Sequence, residues 1–136
     1  MLISEIMTPK PVTVYLDTEL RLIKEIFDHV HFHHLLVENE EDQTLAGIIS
    51  DRDLLQALSP YIDTSSEQQR DAATLKKQAH QIMTREIASV APQTACDHAA
   101  RMLLDANISC LPVLSAAHTI IGIVTWKDLL HSYIQE

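Results

Sequence analysis

Two heptapeptides hold a hydroxyl, a base and a carboxylate at matched distances from a glycine. One is Gly47-Ile48-Ile49-Ser50-Asp51-Arg52-Asp53; the other is Gly122-Ile123-Val124-Thr125-Trp126-Lys127-Asp128. In each, an aliphatic run suited to a strand gives way to a hydroxyl residue suited to a helix N-cap, with an acid three positions later. A helix start presents free backbone N–H groups to an anion. Ser50 and Thr125 can add a hydroxyl, and Arg52 and Lys127 a positive charge. Asp53 and Asp128 can each accept two hydrogen bonds from a vicinal diol such as that of ribose. Gly47 and Gly122 would let a ligand or a neighbouring strand approach closely. The set suits a ribose phosphate better than it suits catalysis. The same residues also satisfy a simpler role, in which the hydroxyl caps the helix and the acid completes the capping box and complements the helix dipole.

Other constellations carry less. His29, His31, His33 and His34 form the densest histidine group, and two imidazoles on one side of a strand begin a metal site. No cysteine or carboxylate stands at ligand spacing to finish one, so lining of a pocket by His33 or His34 and plain solvation compete with it. No Ser-His-Asp, Cys-His or paired-carboxylate arrangement is supported beyond the presence of those residue types, and no enzyme activity is expected. Cys96 and Cys110 fall outside any CxxC spacing and read as small buried apolar residues, which fits a reducing, cytoplasmic setting. Trp126 stands where the first heptapeptide has Asp51 and reads as a packing or interface residue, with a stacking platform as the alternative.

The elements that must position these residues come in two copies. Ile6-Met7-Thr8 recurs as Ile82-Met83-Thr84, an offset of 76 that also pairs Val14 with Val90, Thr18 with Thr94, Leu35 with Leu111 and Val37 with Val113. One residue is then lost, and the heptapeptides and their following Leu-Leu pairs match at an offset of 75. The chain holds two glycines where roughly nine or ten would be usual, and they occupy equivalent places. Each copy reads as strand, helix, two strands, helix. The first predicts strands at Val12–Val14, His33–Glu38 and Leu45–Ile49. Its first helix is capped by Asp17 or Thr18, with Leu20, Ile23, Phe27 and Val30 on one face; its second runs from Asp51 to Leu58. The second copy predicts Ile87–Val90, Thr94–Ala106, Cys110–Leu114, Thr119–Val124 and Trp126–Ile134. Residues 1–59 and 79–136 are therefore taken as the copies and 60–78 as a linker. Within it, Ser65 and Gln68 have capping-box spacing for an exposed helix through Lys77, a possible partner-binding element. One unit of this size cannot bury both faces of its sheet. The expected fold class is α+β, two β-α-β-β-α units packed through their sheets with pseudo-two-fold symmetry and clefts between them.

Composition narrows the partners. Ten bases against nineteen acids give a formal charge of −9, which disfavours nucleic acid. No aliphatic run approaches the roughly 20 residues of a membrane span, and the first residues lack the basic and apolar regions of a secretory signal. The eight histidines would bring the charge from −9 to −1 if all were protonated.

The ordered, duplicated set resembles a tandem pair of CBS domains, often called a Bateman module. The resemblance is carried by Ile6-Met7-Thr8, Val14 to Thr18, Leu35 to Val37 and Gly47 to Leu55. In the second copy it is carried by Ile82-Met83-Thr84, Ala91-Pro92-Gln93-Thr94, Leu111-Pro112-Val113 and Gly122 to Leu130. It covers nearly all of the chain except the middle. The resemblance implies a stand-alone regulatory module that binds an adenosyl ligand (AMP, ADP, ATP or S-adenosylmethionine) and requires no cofactor. Asp53 and Asp128 would hold ribose hydroxyls, with Ser50, Arg52, Thr125 and Lys127 near phosphate. The base pocket would map onto Thr84, Ile87, Ala88, Ile108, Ser109, Cys110 and Pro112 in the second copy. In the first it would map onto Thr8, Pro11, Val12, Phe32, His33, His34 and Leu36, the last standing where the family has proline. The acidic charge favours AMP over more highly phosphorylated nucleotides. Similar modules pair through their copy-ending helices, which implies a homodimer that signals to an effector protein in trans. A ligand-free interaction scaffold is the alternative.

Overall fold

The computed structural model describes residues 1–134. In chain order its elements are α1 (Ile3–Ile6), β1 (Thr8–Pro9), β2 (Thr13–Tyr15), α2 (Leu20–His29), β3 (His34–Glu38), β4 (Leu45–Ser50), α3 (Asp51–Ala57) and α4 (Gln69–Ala72). A 3₁₀ turn (Ala73–Lys76) follows, then α5 (Ala79–Ile82), α6 (Cys96–Ala106), β5 (Cys110–Leu114), β6 (Ile120–Thr125) and α7 (Trp126–Ile134). The α+β class agrees with the sequence, and the elements group into two three-stranded sheets. No described helix is long and apolar enough to cross a membrane.

One compact unit comprises Thr13–Glu41 and Ala46–Glu86. Its sheet has the order β2-β3-β4, with β2 parallel to β3 and Val14 opposite Val37. Helix α2 buries Leu20 and Ile23 completely while Leu22 stays half-exposed, the one-sided burial its spacing predicts. These residues join Val14, Leu35, Val37, Ile49, Leu54, Ala79 and Met83 in one core, each large aliphatic contributing about 1.5–3 kcal/mol. Neither Asp17 nor Thr18 caps α2, contrary to the sequence reading. The N-cap is Glu19, without a side-chain hydrogen bond, and Thr18 Oγ1 instead accepts from Tyr15 N at 2.9 Å. A short hydroxyl side chain closes that turn before the helix begins.

The other unit comprises Met1–Val12, Asp42–Leu45 and Ile87 onward. Its sheet has the order β1-β6-β5, wholly antiparallel. Ile3, Val90, Cys96, Ala99, Leu103, Leu111, Val113, Val124 and Leu129 form its core. The strand expected at Ile87–Val90 shrinks to a single bridge from Val90 to Val113. Thr94 repeats the Thr18 device, accepting from Ala91 N at 3.1 Å, and α6 starts two residues later than expected.

The units exchange their opening segments with respect to the sequence copies. Thr8 and Pro9, from the first copy, pair with Ile123 and Gly122 of the second. Thr84, from the second copy, exchanges two backbone hydrogen bonds with Ile48 of the first, at 3.0 and 2.9 Å. Each opening segment ends in Ile-Met-Thr, and each methionine covers the other copy's glycine. A Cβ on Gly47 would lie 2.5 Å from Met83 Sδ, and one on Gly122 would lie 2.6 Å from Met7 Sδ. What needs the room at both glycines is therefore a methionine side chain, joined at Gly122 by the Thr8 carbonyl of the paired strand.

The middle segment departs from its expected exposed helix. The helix starts at Gln69 rather than after Ser65, and Gln68 N donates to Asp71 Oδ2 at 2.9 Å. It gives way to a 3₁₀ turn after Ala72. Leu75 is only 7% exposed and Asp71 is also buried. Ser59 Oγ donates to Asp71 Oδ1 at 2.7 Å and Lys77 Nζ donates to the Ala57 carbonyl at 3.1 Å, so the segment is fastened to the last residue of α3 and to the turn just after it. The Ser59 hydrogen bond holds the Asp71 carboxyl below the usual carboxylate range. Leu75 alone gives little apolar face, and the burial of Asp71 leaves no mark on the sequence pattern.

Candidate functional site

At the end of β4 the chain passes directly into α3, and Ser50 takes extended angles (φ −94°, ψ 162°) as the N-cap. Its Oγ accepts from Asp53 N at 3.0 Å, and Asp53 Oδ2 accepts from Ser50 N at 2.9 Å. At the end of β6, Thr125 does the same before α7. Asp128 Oδ2 accepts from Thr125 N at 2.8 Å and from Thr125 Oγ1 at 3.2 Å, while Asp128 N donates to Thr125 Oγ1 at 3.3 Å. Both acids therefore complete capping boxes. In each, one oxygen does all of this; Oδ1 of Asp53 and of Asp128 accepts no hydrogen bond among the described residues. Capping and diol recognition are thus compatible, since each carboxylate keeps an oxygen with its lone pairs open.

The flanking residues differ. Arg52 and Lys127 are both exposed. Lys127 Nζ lies 5.8 Å from the centroid of the Trp126 ring, a cation–π contact. In the first copy Asp51 occupies the tryptophan's place, and His33 Nδ1 lies 2.8 Å from Asp51 Oδ2. The backbone reinforces this, with Asp51 N donating to the His33 carbonyl at 3.0 Å. The His33 hydrogen bond holds the Asp51 carboxyl below the usual range. Burial pushes the half-buried His34 imidazole down, against the opposing pull of Asp51 and Asp53. This pairing was not anticipated, because eighteen residues separate the partners; the adjacency of β3 to β4 is what joins them.

The expected base-pocket residues divide between the units. Ile87, Ala88, Ile108, Ser109, Cys110 and Pro112 fall in the unit containing Asp128, and Thr8, Pro11 and Val12 fall there too. Phe32, His33, His34 and Leu36 share a unit with Asp53, and Thr84 joins them. The two threonines thus sit with the opposite copy from the one that contributed them. The Ser109 carbonyl accepts from Trp126 N at 3.2 Å, as His33 does for Asp51, so the start of β5 is tied to the start of α7. Pro112 is fully buried, whereas Val12, Phe32 and Ile108 are about two-fifths to one-half exposed. Burial raises the Cys110 thiol to about 12 and pushes Cys96 up as well, so neither is activated. No group of three histidine, cysteine, aspartate or glutamate side chains that could hold a metal ion exists among the described residues. A hollow of about 300 Å³ opens elsewhere on the second-copy unit, lined by Thr94, His98, Met102, Ser115 and His118 among others. None of the sequence-predicted ligand residues lines it.

The CBS domain family profile matches residues 3–60 and 79–134. A CBS domain-containing protein of Dictyostelium discoideum is 31% identical over 99% of this chain and 92% of its own length. Among solved structures, CBSX2 in complex with AMP superposes with a TM-score of 0.81 at 28% identity, covering 98% of this chain and 96% of that one. The CBS domain pair of protein MJ0100, in complex with 5′-methylthioadenosine and S-adenosyl-L-methionine, gives a TM-score of 0.79 at 25% identity, covering 99% and 97%.

Proposed function

This chain belongs to the CBS-domain family, and on that premise we propose that it is a non-catalytic regulatory module that binds an adenosyl ligand, AMP in preference to others, and reports occupancy to a partner protein in trans. The observation that carries this is the pair of matching caps, Ser50 with Asp53 and Thr125 with Asp128, each leaving one carboxylate oxygen open. Asp53 and Asp128 accept from the ribose diol. Ser50 with Arg52, and Thr125 with Lys127, face the phosphate. The base-pocket residues named above close on the purine, Thr8 and Thr84 included. The second copy is the stronger site, because its helix start carries one acid where the first carries two. The complexes of CBSX2 with AMP and of the MJ0100 pair with S-adenosylmethionine support the ligand class. The module works as a homodimer in the cytoplasm, and ligand binding shifts the population of arrangements that its effector distinguishes.

The competing reading, a ligand-free scaffold, draws on the fact that both acids already serve as caps. Thermal denaturation with AMP, ADP, ATP and S-adenosylmethionine separates them. A ligand at one hundred times its Kd adds about 2.7 kcal/mol. The expected outcome is a clear rise in Tm with AMP that Asp128→Ala removes or greatly reduces. No shift from any of the four at millimolar concentration overturns the proposal in favour of the scaffold.

A further inference from the structure

Strands β5 and β6 form a hairpin whose two ends differ. Cys110 pairs with Thr125 at one end, beside the cap, and Leu114 pairs with Ile120 at the other. The hollow of about 300 Å³ lies at that second end, where Leu114, Ser115 and His118 line it together with His98 and Met102 of α6. Three nitrogen and sulfur donors therefore share one hollow. His98 and Met102 stand four residues apart on α6, which stacks them on one face with Cβ atoms about 5–6 Å apart. His118 comes from the turn, where its backbone is left-handed (φ 66°). That turn is tied down: His118 N donates to the Ser115 carbonyl at 2.9 Å, and the His118 carbonyl accepts from Leu45 N at 3.3 Å. Neither imidazole has a hydrogen-bond or ion-pair partner among the described residues. The first copy keeps the frame without the donors. Its equivalent positions hold Leu22, Ile26 and Gln43, and Gln43 repeats the left-handed turn at φ 63°. The fold thus needs the turn but not the imidazole, and the helix but not the imidazole and thioether on it.

We propose that this hollow is a copper(I) site, with His98 and His118 as imidazole ligands and Met102 as a thioether ligand. The donor set selects the metal. Imidazole suits several transition metals, but a thioether favours soft copper(I). No carboxylate and no cysteine lines the hollow, so calcium and magnesium lack their oxygen ligands and zinc lacks the thiolate or carboxylate that completes its usual set. An ion fills only part of the volume, and the donors close on it by side-chain rotation. Met102 has three rotatable bonds for this, and each imidazole turns from a backbone that helix or turn holds in place. The site stands at the opposite end of the hairpin from Asp128, and none of the residues proposed for the adenosyl ligand lines it. It is independent of that reading, which neither outcome below affects.

The test uses the full untagged chain under anaerobic, reducing conditions. Copper(I) is titrated in competition with a chromophoric copper(I) chelator, and zinc(II) is titrated in parallel. The substitutions install the first copy's residues, His98→Leu, Met102→Ile and His118→Gln, and circular dichroism checks that each variant folds. Second-shell partners of a metal ligand are worth about 10–100-fold in affinity, and a ligand is worth no less. Each variant should therefore bind copper(I) at least about tenfold more weakly than the parent. Met102→Ile should leave zinc(II) affinity within about twofold, since the thioether serves the soft ion. X-ray absorption at the copper edge should show a sulfur neighbour that Met102→Ile removes. The buried thiols are the competing source of sulfur, so Cys96→Ala and Cys110→Ala are measured too and should retain binding. Copper(I) binding that survives all three first-copy substitutions, a sulfur signal that persists in Met102→Ile, or binding lost with either cysteine overturns the site. Zinc(II) binding as tight as copper(I) overturns it as well.

Discussion

In the first copy the residue after the capping hydroxyl is Asp51, whose carboxylate meets an imidazole; in the second it is Trp126, whose ring lies beneath the Lys127 ammonium. The backbone frame around them is the same. Both caps hold the acid by the same oxygen, the backbone N–H at both helix starts donates to a carbonyl at the start of the neighbouring strand, and both glycines are covered by a methionine from the other copy's opening segment. Duplication has kept what the fold needs and released what flanks the site. Under the proposed function, preference between the copies is set by side chains around the caps, among them Asp51, Arg52, His33 and His34 against Trp126, Lys127, Ser109 and Cys110.

The largest expected effect lies in the shared frame, where the copies differ in what surrounds the glycine. A Cβ at Gly122 would meet Met7 Sδ at 2.6 Å and the Thr8 carbonyl oxygen at 3.0 Å. That carbonyl belongs to a paired strand and cannot retreat. At Gly47 the two nearest atoms are Met83 Sδ and Cγ, at 2.5 and 2.8 Å, which can rotate away, with Met83 Cβ third at 3.0 Å. Overpacking costs about 1–3 kcal/mol, so Gly122→Ala should fall near the upper end and Gly47→Ala near the lower, as read by urea denaturation. A double-mutant cycle sharpens this. In a Met83→Ala background the cost of Gly47→Ala should fall, because the Sδ and Cγ contacts are removed and only the Cβ at 3.0 Å is left. In a Met7→Ala background Gly122→Ala should still cost about 1 kcal/mol, through the carbonyl that remains. Equal costs in both backgrounds would show that the carbonyl yields and that the copies are equivalent here.

Much of this was legible in the sequence. Two glycines in equivalent places and paired Leu-Val runs led to the duplicated units, and the β5 limits were met residue for residue. The capping acids were identified because a cap is local, needing only the three-residue spacing of hydroxyl and carboxylate. What escaped was non-local. Nothing in the order of residues says that Thr8 pairs beside Gly122 and Thr84 beside Gly47, since segment exchange leaves hydrophobic periodicity unchanged. The His33–Asp51 contact likewise depends on two strands lying side by side. The middle segment misled because its fastening depends on a buried carboxylate, Asp71, and a buried carboxylate looks like a solvated one until its hydroxyl partner is placed.

A smaller difference is expected at the caps. Replacing a capping hydroxyl by alanine costs about 0.5–2 kcal/mol. Ser50 accepts from Asp53 N at 3.0 Å and Thr125 from Asp128 N at a longer 3.3 Å. Ser50→Ala should therefore cost about 1 kcal/mol and Thr125→Ala about half that, measured by chemical denaturation without ligand. Thr125→Ala costing more than Ser50→Ala would mean that the Thr125 hydroxyl's second bond, to Asp128 Oδ2 at 3.2 Å, outweighs the geometry of the first.

The smallest effect concerns acid. Burial lowers the His34 imidazole from its ordinary value of 6.5, so between the lowered value and 6.5 the unfolded chain binds more protons than the folded one. Stability rises with pH wherever that holds. The contribution is fully present above 6.5 and is lost as the pH falls toward the folded-state value, below which no further loss occurs. His34 aligns with Cys110, a thiol raised to about 12 that does not titrate anywhere near this range. Replacing His34 by cysteine makes the first copy resemble the second at this position and removes the acid-sensitive group without introducing a new one. The variant should therefore lose less stability than the parent between pH 7.5 and 5.5 in parallel urea titrations, with no gain in that difference above pH 7.5. An identical pH dependence in the two proteins would mean that His34 stays protonated alike in the folded and unfolded states. The imidazole would then be as well hydrated as in free chain, and the first copy would own no acid response that the second lacks.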